Sequence, residues 1–152
     1  MTIHLTITIH APRTRVFDAI TDLPSYSHWL PQSSAFKGTT EISESPARLG
    51  TTYIEQGPAG VRKGEIIEFE APTKVTFHQP MTLKPAALGL ILDVRVEMTL
   101  TEDMEGITVL QRDITLGYPW PLWPFKAVVA NEFRRESWRT LELLKGYVER
   151  PS

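Results

Sequence analysis

The chain has 152 residues, twelve prolines, no cysteine and a formal net charge of −2. One domain of this length buries roughly 68–70% of the surface its unfolded chain exposes, so it holds a core without staples. The absence of cysteine excludes disulfides, thiol catalysis, Cys-ligated zinc and iron–sulfur clusters, and fits a reducing compartment.

Sixteen basic against eighteen acidic residues leave no excess charge for a nucleic-acid backbone or an anionic membrane, so neither partner is expected. The opening MTIHLTITIH lacks the charged start and continuous apolar stretch of a signal peptide. The longest apolar run, residues 86–92, is interrupted by Gly89 and is far short of the ~20 residues of a spanning helix. Together these features predict a soluble, cytoplasmic protein without membrane insertion.

Residues 3–9 read as a strand, with Ile3, Leu5, Ile7 and Ile9 on one face and His4, Thr6, Thr8 and His10 on the other. Pro12 opens a short helix carrying Val16, Phe17 and Ile20. Pro24 opens a second with Tyr26, Trp29 and Leu30, and Pro31 stops it. Six further strands are predicted over 36–43, 50–56, 63–70, 73–79, 93–102 and 107–116. Their short, turn-rich connections imply an antiparallel meander. The clearest alternation sets Val94, Val96, Met98 and Leu100 against Asp93, Arg95, Glu97 and Thr99. Residues 80–92 fit neither period and are expected to be extended or partly helical, over something apolar.

One long helix is predicted over about 124–149. Phe125, Val129, Phe133, Leu141, Leu144 and Val148 make its apolar stripe, with a double step over the small Ser137. Lys145 and Glu149 are spaced as a surface ion pair. No repeat, linker or low-complexity tract interrupts the chain, so residues 1–152 read as one domain of the α+β class.

Three stretches carry a family resemblance. Residues 9–31, IHAPRTRVFDAITDLPSYSHWLP, look like the first strand, Pro-started helix and Asp-to-Trp helix pair of the START-like or Bet v 1-like superfamily, also called SRPBCC or polyketide cyclase/dehydrase-like. Residues 64–77, GEIIEFEAPTKVTF, are similar to its strand–acidic–Pro–strand hairpin, and residues 134–149, RRESWRTLELLKGYVE, to the end of its long helix. The resemblance implies a helix-grip: a curved seven-stranded antiparallel sheet around the C-terminal helix, with two short helices after strand 1. It also implies a cavity between sheet and helix, used in the family for lipids, sterols, polyketides or other apolar molecules. Physics agrees, because a strongly curved sheet cannot lie flush on a straight helix along its whole length.

The candidate ligand-binding residues are Trp29, Tyr53, Glu68, Met98, Arg112, Trp120, Trp123, Phe125, Val129 and Phe133. Arg112 shares the even positions of 107–116 with Leu110, Ile114 and Leu116; it faces the core unless a bulge shifts the register and turns it to solvent. Glu68 faces inward if Ile66 does, and outward if Ile67 and Phe69 are the inner residues. Trp29 and Tyr53 offer polar tips on an apolar wall, although core packing explains both equally well.

Tyr118-Pro-Trp-Pro-Leu-Trp-Pro-Phe125 holds Trp120 and Trp123 either as a rigid linker packed on the helix or as an apolar gate. The prolines flanking 80–92 and 118–125 mark those two segments as the place to seek the cavity mouth. Phe125, Val129 and Phe133 are the bulky half of the helix stripe. The four histidines show no metal-ligand spacing; His4 and His10 lie about 20 Å apart along one strand. Neither metal nor cofactor is expected, and no phosphate loop, nucleophile elbow or dinucleotide fingerprint is present.

Three functions follow as expectations. The first is binding of a small apolar molecule (lipid, polyketide or aromatic-like) by a monomer or homodimer. The second is a polyketide cyclase/dehydratase-type enzyme acting by pocket-shaped proton transfer, which needs Arg112, Glu68 or Tyr53 aimed inward. The third is a protein-interaction module without ligand, which an exposed apolar patch around Trp120 and Trp123 would favour.

Overall fold

The computed structural model describes residues 2–33 and 36–150. Strand β1 (Thr2–Ile9) leads into helix α1 (Arg13–Thr21) and a 3-10 helix over Leu23–His28. Seven strands follow: β2 (Thr39–Thr40), β3 (Thr52–Gln56), β4 (Gly60–Glu70), β5 (Lys74–His78), β6 (Met81–Leu83), β7 (Ile91–Glu102) and β8 (Thr108–Gly117). A second 3-10 helix, Trp120–Phe125, runs into the long helix α2 (Lys126–Val148).

The sheet order is β1-β8-β7-β5-β4-β3-β2, with β6 bridging β4 and β7, and every pairing is antiparallel. This is the α+β helix-grip expected from the sequence. Three boundaries differ. The strand expected over 36–43 is paired only at Thr39–Thr40. An eighth strand, β6, arises inside the irregular 80–92 segment, ahead of a 3-10 turn at Ala86–Leu88. β4 starts at Gly60 rather than 63 because β6 pairs with its first residues.

Alternation dictates which side is buried. Val94, Val96, Met98 and Leu100 of β7 and Leu110 and Ile114 of β8 are each 5% exposed or less, while Asp93, Arg95 and Glu97 point outward. The β7–β8 register runs unbroken from Asp93↔Gly117 to Glu102↔Thr108, so no slip moves Arg112 off the inner face. β4 does slip. A bulge between Ile66 and Glu68 breaks its pairing with β5, so Ile66 opposite Phe77 and Phe69 opposite Val75 both face inward. Phe69 meets Phe17 of α1 edge-on, with ring centroids 5.3 Å apart.

Helix α2 is gripped unevenly. Its second half is anchored by Leu141, Leu144 and Val148, all essentially buried. Lys145 Nζ donates to the Thr8 carbonyl at 2.9 Å and meets Glu149 Oε2 at 2.6 Å, the ion pair its spacing predicted. Glu149 in turn accepts from the His10 backbone N–H at 2.7 Å. Toward its start the buried positions are the small Ala130 and Ser137, and the expected stripe residues Val129 and Phe133 are only half-buried. Small residues at this end leave space against the concave sheet.

Candidate functional site

That space is a cavity of about 230 Å³ between the inner face of the sheet and α2. Its floor is apolar, with Phe77, Val96, Met98 and Ile114 contributed by successive strands. Trp29 and Leu30, just after the first 3-10 helix, close one side; Phe133, Ser137 and Leu141 of α2 close the other. The open end lies where Pro58 and Ala59 of the β3–β4 turn and Glu132 of α2, all exposed, reach the lining. The mouth therefore differs from the expectation: of the two Pro-stiffened segments, only Met81 contributes to the wall, and residues 118–125 contribute nothing.

Tyr53 sits in this wall because Gly64 stands opposite it on β4. A Cβ at Gly64 would lie 2.2 Å from the Tyr53 ring, so only glycine lets the ring cross the strand. The ring is 2% exposed and meets Phe77 edge-on at 6.1 Å. The Gln79 amide donates to the Tyr53 hydroxyl, which leaves the phenolic proton free to be donated into the cavity. Burial, reinforced by the nearby Glu55 charge, pushes the Tyr53 pKa well up and keeps the hydroxyl protonated. Burial does the same to Tyr26, whose hydroxyl donates to the Ile20 carbonyl.

Of the charged groups on the lining, Glu55 and Arg62 pair with each other, Glu132 and Glu136 pair with arginines outside it, and Arg112 stands apart. Glu55 accepts from Arg62 Nε at 3.0 Å, both side chains being nearly buried. Glu132 is held by Arg135. Glu136 is held by Arg139 Nη1 at 2.6 Å, and it accepts from the Ser33 hydroxyl at 3.2 Å. Arg112, opposite Met98 in the sheet, forms no ion pair or hydrogen bond among the described residues, and its Nε is buried without a partner. Burial lowers the Arg112 pKa, against the opposing pull of Tyr26 and Glu55. A guanidinium nonetheless stays charged. A buried donor left unmade costs about 1–3 kcal/mol, more for a charged group. A fold that tolerates this cost has a cation available for something that enters the cavity.

Trp29, Tyr53, Met98, Arg112 and Phe133 thus all line the cavity. The other candidate residues do not. The bulge turns Glu68 outward, where it accepts from Thr76 at 2.9 Å and from Lys74 at 3.1 Å. These two bonds, the Thr76 one first, hold its pKa below the usual glutamate value. Thr76 on that face is fully buried.

Trp120, Trp123 and Phe125 are 77%, 59% and 56% exposed, and Val129 is off the lining. In a 3-10 helix residues three apart eclipse, so Trp120 and Trp123 share an edge, and here that edge points outward. Lys126 sits 4.9 Å from the Trp123 ring and 5.6 Å from that of Tyr118, which ties the segment to the helix start.

Sequence reasoning missed Tyr26, Glu55, Arg62 and Gln79. Glu55 was findable, being two residues from Tyr53 on the same strand face. Arg62 was not, since β4 was expected to begin after it. Among the described residues no three His, Asp or Glu side chains gather as metal ligands, and no helix is long and apolar enough to cross a membrane.

Solved structures share this architecture at low identity, which speaks to the fold. Protein MLL2253 from Mesorhizobium loti is 19% identical over 100% of this chain and 99% of its own, with a TM-score of 0.70. Norcoclaurine synthase from Thalictrum flavum, solved in complex with dopamine and hydroxybenzaldehyde, is 12% identical over 100% of this chain and 89% of its own, with a TM-score of 0.72. Ara h 8.0201 is 17% identical over 97% of each chain, with a TM-score of 0.69. No curated protein sequence matches significantly. A family model described as "Polyketide cyclase / dehydrase and lipid transport" matches residues 1–149. With the helix-grip fold and its cavity already established, this match places the chain in the polyketide cyclase/dehydrase and lipid transport family of the SRPBCC, Bet v 1-like superfamily.

Proposed function

We propose that the protein binds a small, largely apolar molecule in the cavity between sheet and α2. The observation that carries this reading is the cavity itself: about 230 Å³, open at one end, with an apolar floor on which Tyr53 and Arg112 offer polar groups. Affinity would come from apolar burial, at about 25 cal/mol per Å² before the costs of association are subtracted, and orientation from Tyr53 and Arg112. Family membership and the ligand-filled norcoclaurine synthase relative support the same reading.

Native mass spectrometry of gently purified protein tests it. A co-purified small molecule is expected in the wild type and lost in Ser137→Leu, which projects three extra carbons from the wall of the cavity. Absence of any bound species, together with no binding of an added apolar fluorophore, would overturn the reading.

A catalytic reading has a specific observation in its favour: Tyr53 and Arg112, two of the three ionisable candidates, do point inward. Both can stabilise negative charge on an enolised carbonyl. The one carboxylate deep in the wall, Glu55, is engaged by Arg62, so the base is the missing half of that mechanism. Turnover of a poly-β-ketone substrate that disappears in Tyr53→Phe would move the protein from carrier to cyclase.

The exposed Trp120, Trp123 and Phe125 favour an interaction surface as well. Its test is recovery of a defined partner by the wild type but not by the Trp120→Ala/Trp123→Ala variant.

A further inference from the structure

The ligand's chemistry can be narrowed from the charge balance and size of the cavity; this inference rests on the binding function proposed above. Three carboxylates reach the lining, and each already has an arginine: Glu55 with Arg62, Glu132 with Arg135, Glu136 with Arg139. The fourth arginine, Arg112, has no counter-ion among the described residues, and its Nε is buried without a partner. It projects from the middle of β8, between Leu5 of β1 and Met98 of β7, into an otherwise apolar floor. The protein therefore presents one unneutralised positive charge to whatever enters. With the three carboxylates already matched, one positive charge calls for one negative charge on the guest. A planar guanidinium fork matches the two oxygens of a carboxylate.

Size sets the second limit. A cavity of about 150 Å³ accommodates benzene, and drug-sized ligands occupy about 300–1,000 Å³. At about 230 Å³ this cavity lies between them. It has room for one or two fused rings and too little for a long acyl chain or a steroid.

We infer that the ligand is a compact monocarboxylic acid with a one- or two-ring apolar body, its carboxylate held by Arg112 and its rings lying on Phe77, Val96 and Ile114. The Tyr53 hydroxyl supplies a second donor on the same wall.

Isothermal titration calorimetry on the full chain at neutral pH tests this with three probes: 2-naphthoate, its neutral counterpart 2-naphthylmethanol, and stearate. The wild type should bind naphthoate about 10- to 100-fold more tightly than the alcohol, the range expected for one charge-assisted contact. Arg112→Gln and Arg112→Met should erase that preference by weakening naphthoate binding about 10- to 100-fold, and circular dichroism should report both as folded, since each removes an unpaired buried charge.

Equal binding of acid and alcohol by the wild type would overturn the anchor and leave the container intact. So would an undiminished preference in both variants. Stearate binding more tightly than naphthoate would overturn the size limit. If none of the three probes binds, the binding function itself fails.

Discussion

The position of Tyr53 depends on one hydrogen atom. Gly64 faces Tyr53 across the β3–β4 pair, and a methyl group there would sit 2.2 Å from one ring carbon, 2.5 Å from a second and 2.6 Å from the hydroxyl oxygen. Gly64 is not in the left-handed region, so alanine suits its backbone. On chain entropy alone the change would stabilise by about 0.4–1 kcal/mol. The clash reverses that sign. The ring cannot retreat, being 2% exposed and packed on Phe77, so overpacking of about 1–3 kcal/mol is expected. At roughly 2–4 °C per kcal/mol for a chain of this size, Gly64→Ala should lower Tm by about 2–12 °C. A double-mutant cycle by urea denaturation isolates the cause. In a Tyr53→Val background the clashing ring atoms are gone, and Gly64→Ala should be neutral or mildly stabilising. The coupling energy should therefore be about 1–4 kcal/mol, the net cost in wild type plus the backbone gain seen in the Tyr53→Val background. An equal cost of Gly64→Ala in both backgrounds would refute this account of how the wall is built.

Other predictions concern the grip and the rim. Leu141→Ala, at a fully buried contact between helix and sheet, should cost about 2–5 kcal/mol in denaturant titration. Glu149→Gln weakens the pairing with Lys145 and should cost about 0.2–1 kcal/mol at neutral pH, as for an i,i+4 pair whose side chains keep 33% and 26% exposure. The Lys145 bond, then that from the His10 N–H, holds the Glu149 pKa below the ordinary value of 4.5. The stability it adds is complete above that value and disappears as pH falls through the lowered one, so wild type and variant should differ in thermal melts above pH 4.5 and converge as pH is lowered below it. Trp120→Ala/Trp123→Ala should change small-molecule affinity less than about threefold in the same calorimetric titration, since neither ring reaches the cavity.

Much of this architecture was legible in the residues, for identifiable reasons. The period-2 patterns of β1 and β7 and the stripe along the second half of α2 are long enough to fix face and type, and they hold. Arg112 was half legible: Leu110, Ile114 and Leu116 mark its face, but only the unbroken β7–β8 register decides between core and solvent. Glu68 was not, because Ile66, Ile67 and Phe69 satisfy either register. The bulge lets Ile66 and Phe69 both turn inward, an option that strict alternation does not contain. The Trp120–Phe125 segment misled for a related reason. Its composition reads as buried, yet the 3-10 winding sets Trp120 and Trp123 along one outward edge. The Arg62–Glu55 pair depends on β6 extending β4 at its start, a three-residue strand too short to leave a pattern.

The central claim is that a small molecule enters the space between sheet and helix, and the methionines supply reporters with a built-in control. Met81 and Met98 line the cavity, whereas Met104 is fully exposed on the β7–β8 turn. The measurement is a methyl-detected NMR titration of ¹³C-methionine-labelled protein with 2-naphthylmethanol, whose ring current shifts nearby methyl groups. The account predicts saturable shifts at Met81 and Met98 with Met104 unmoved, all abolished in Ser137→Leu. Shifts confined to Met104, or none at Met81 and Met98 at saturating probe, would contradict it.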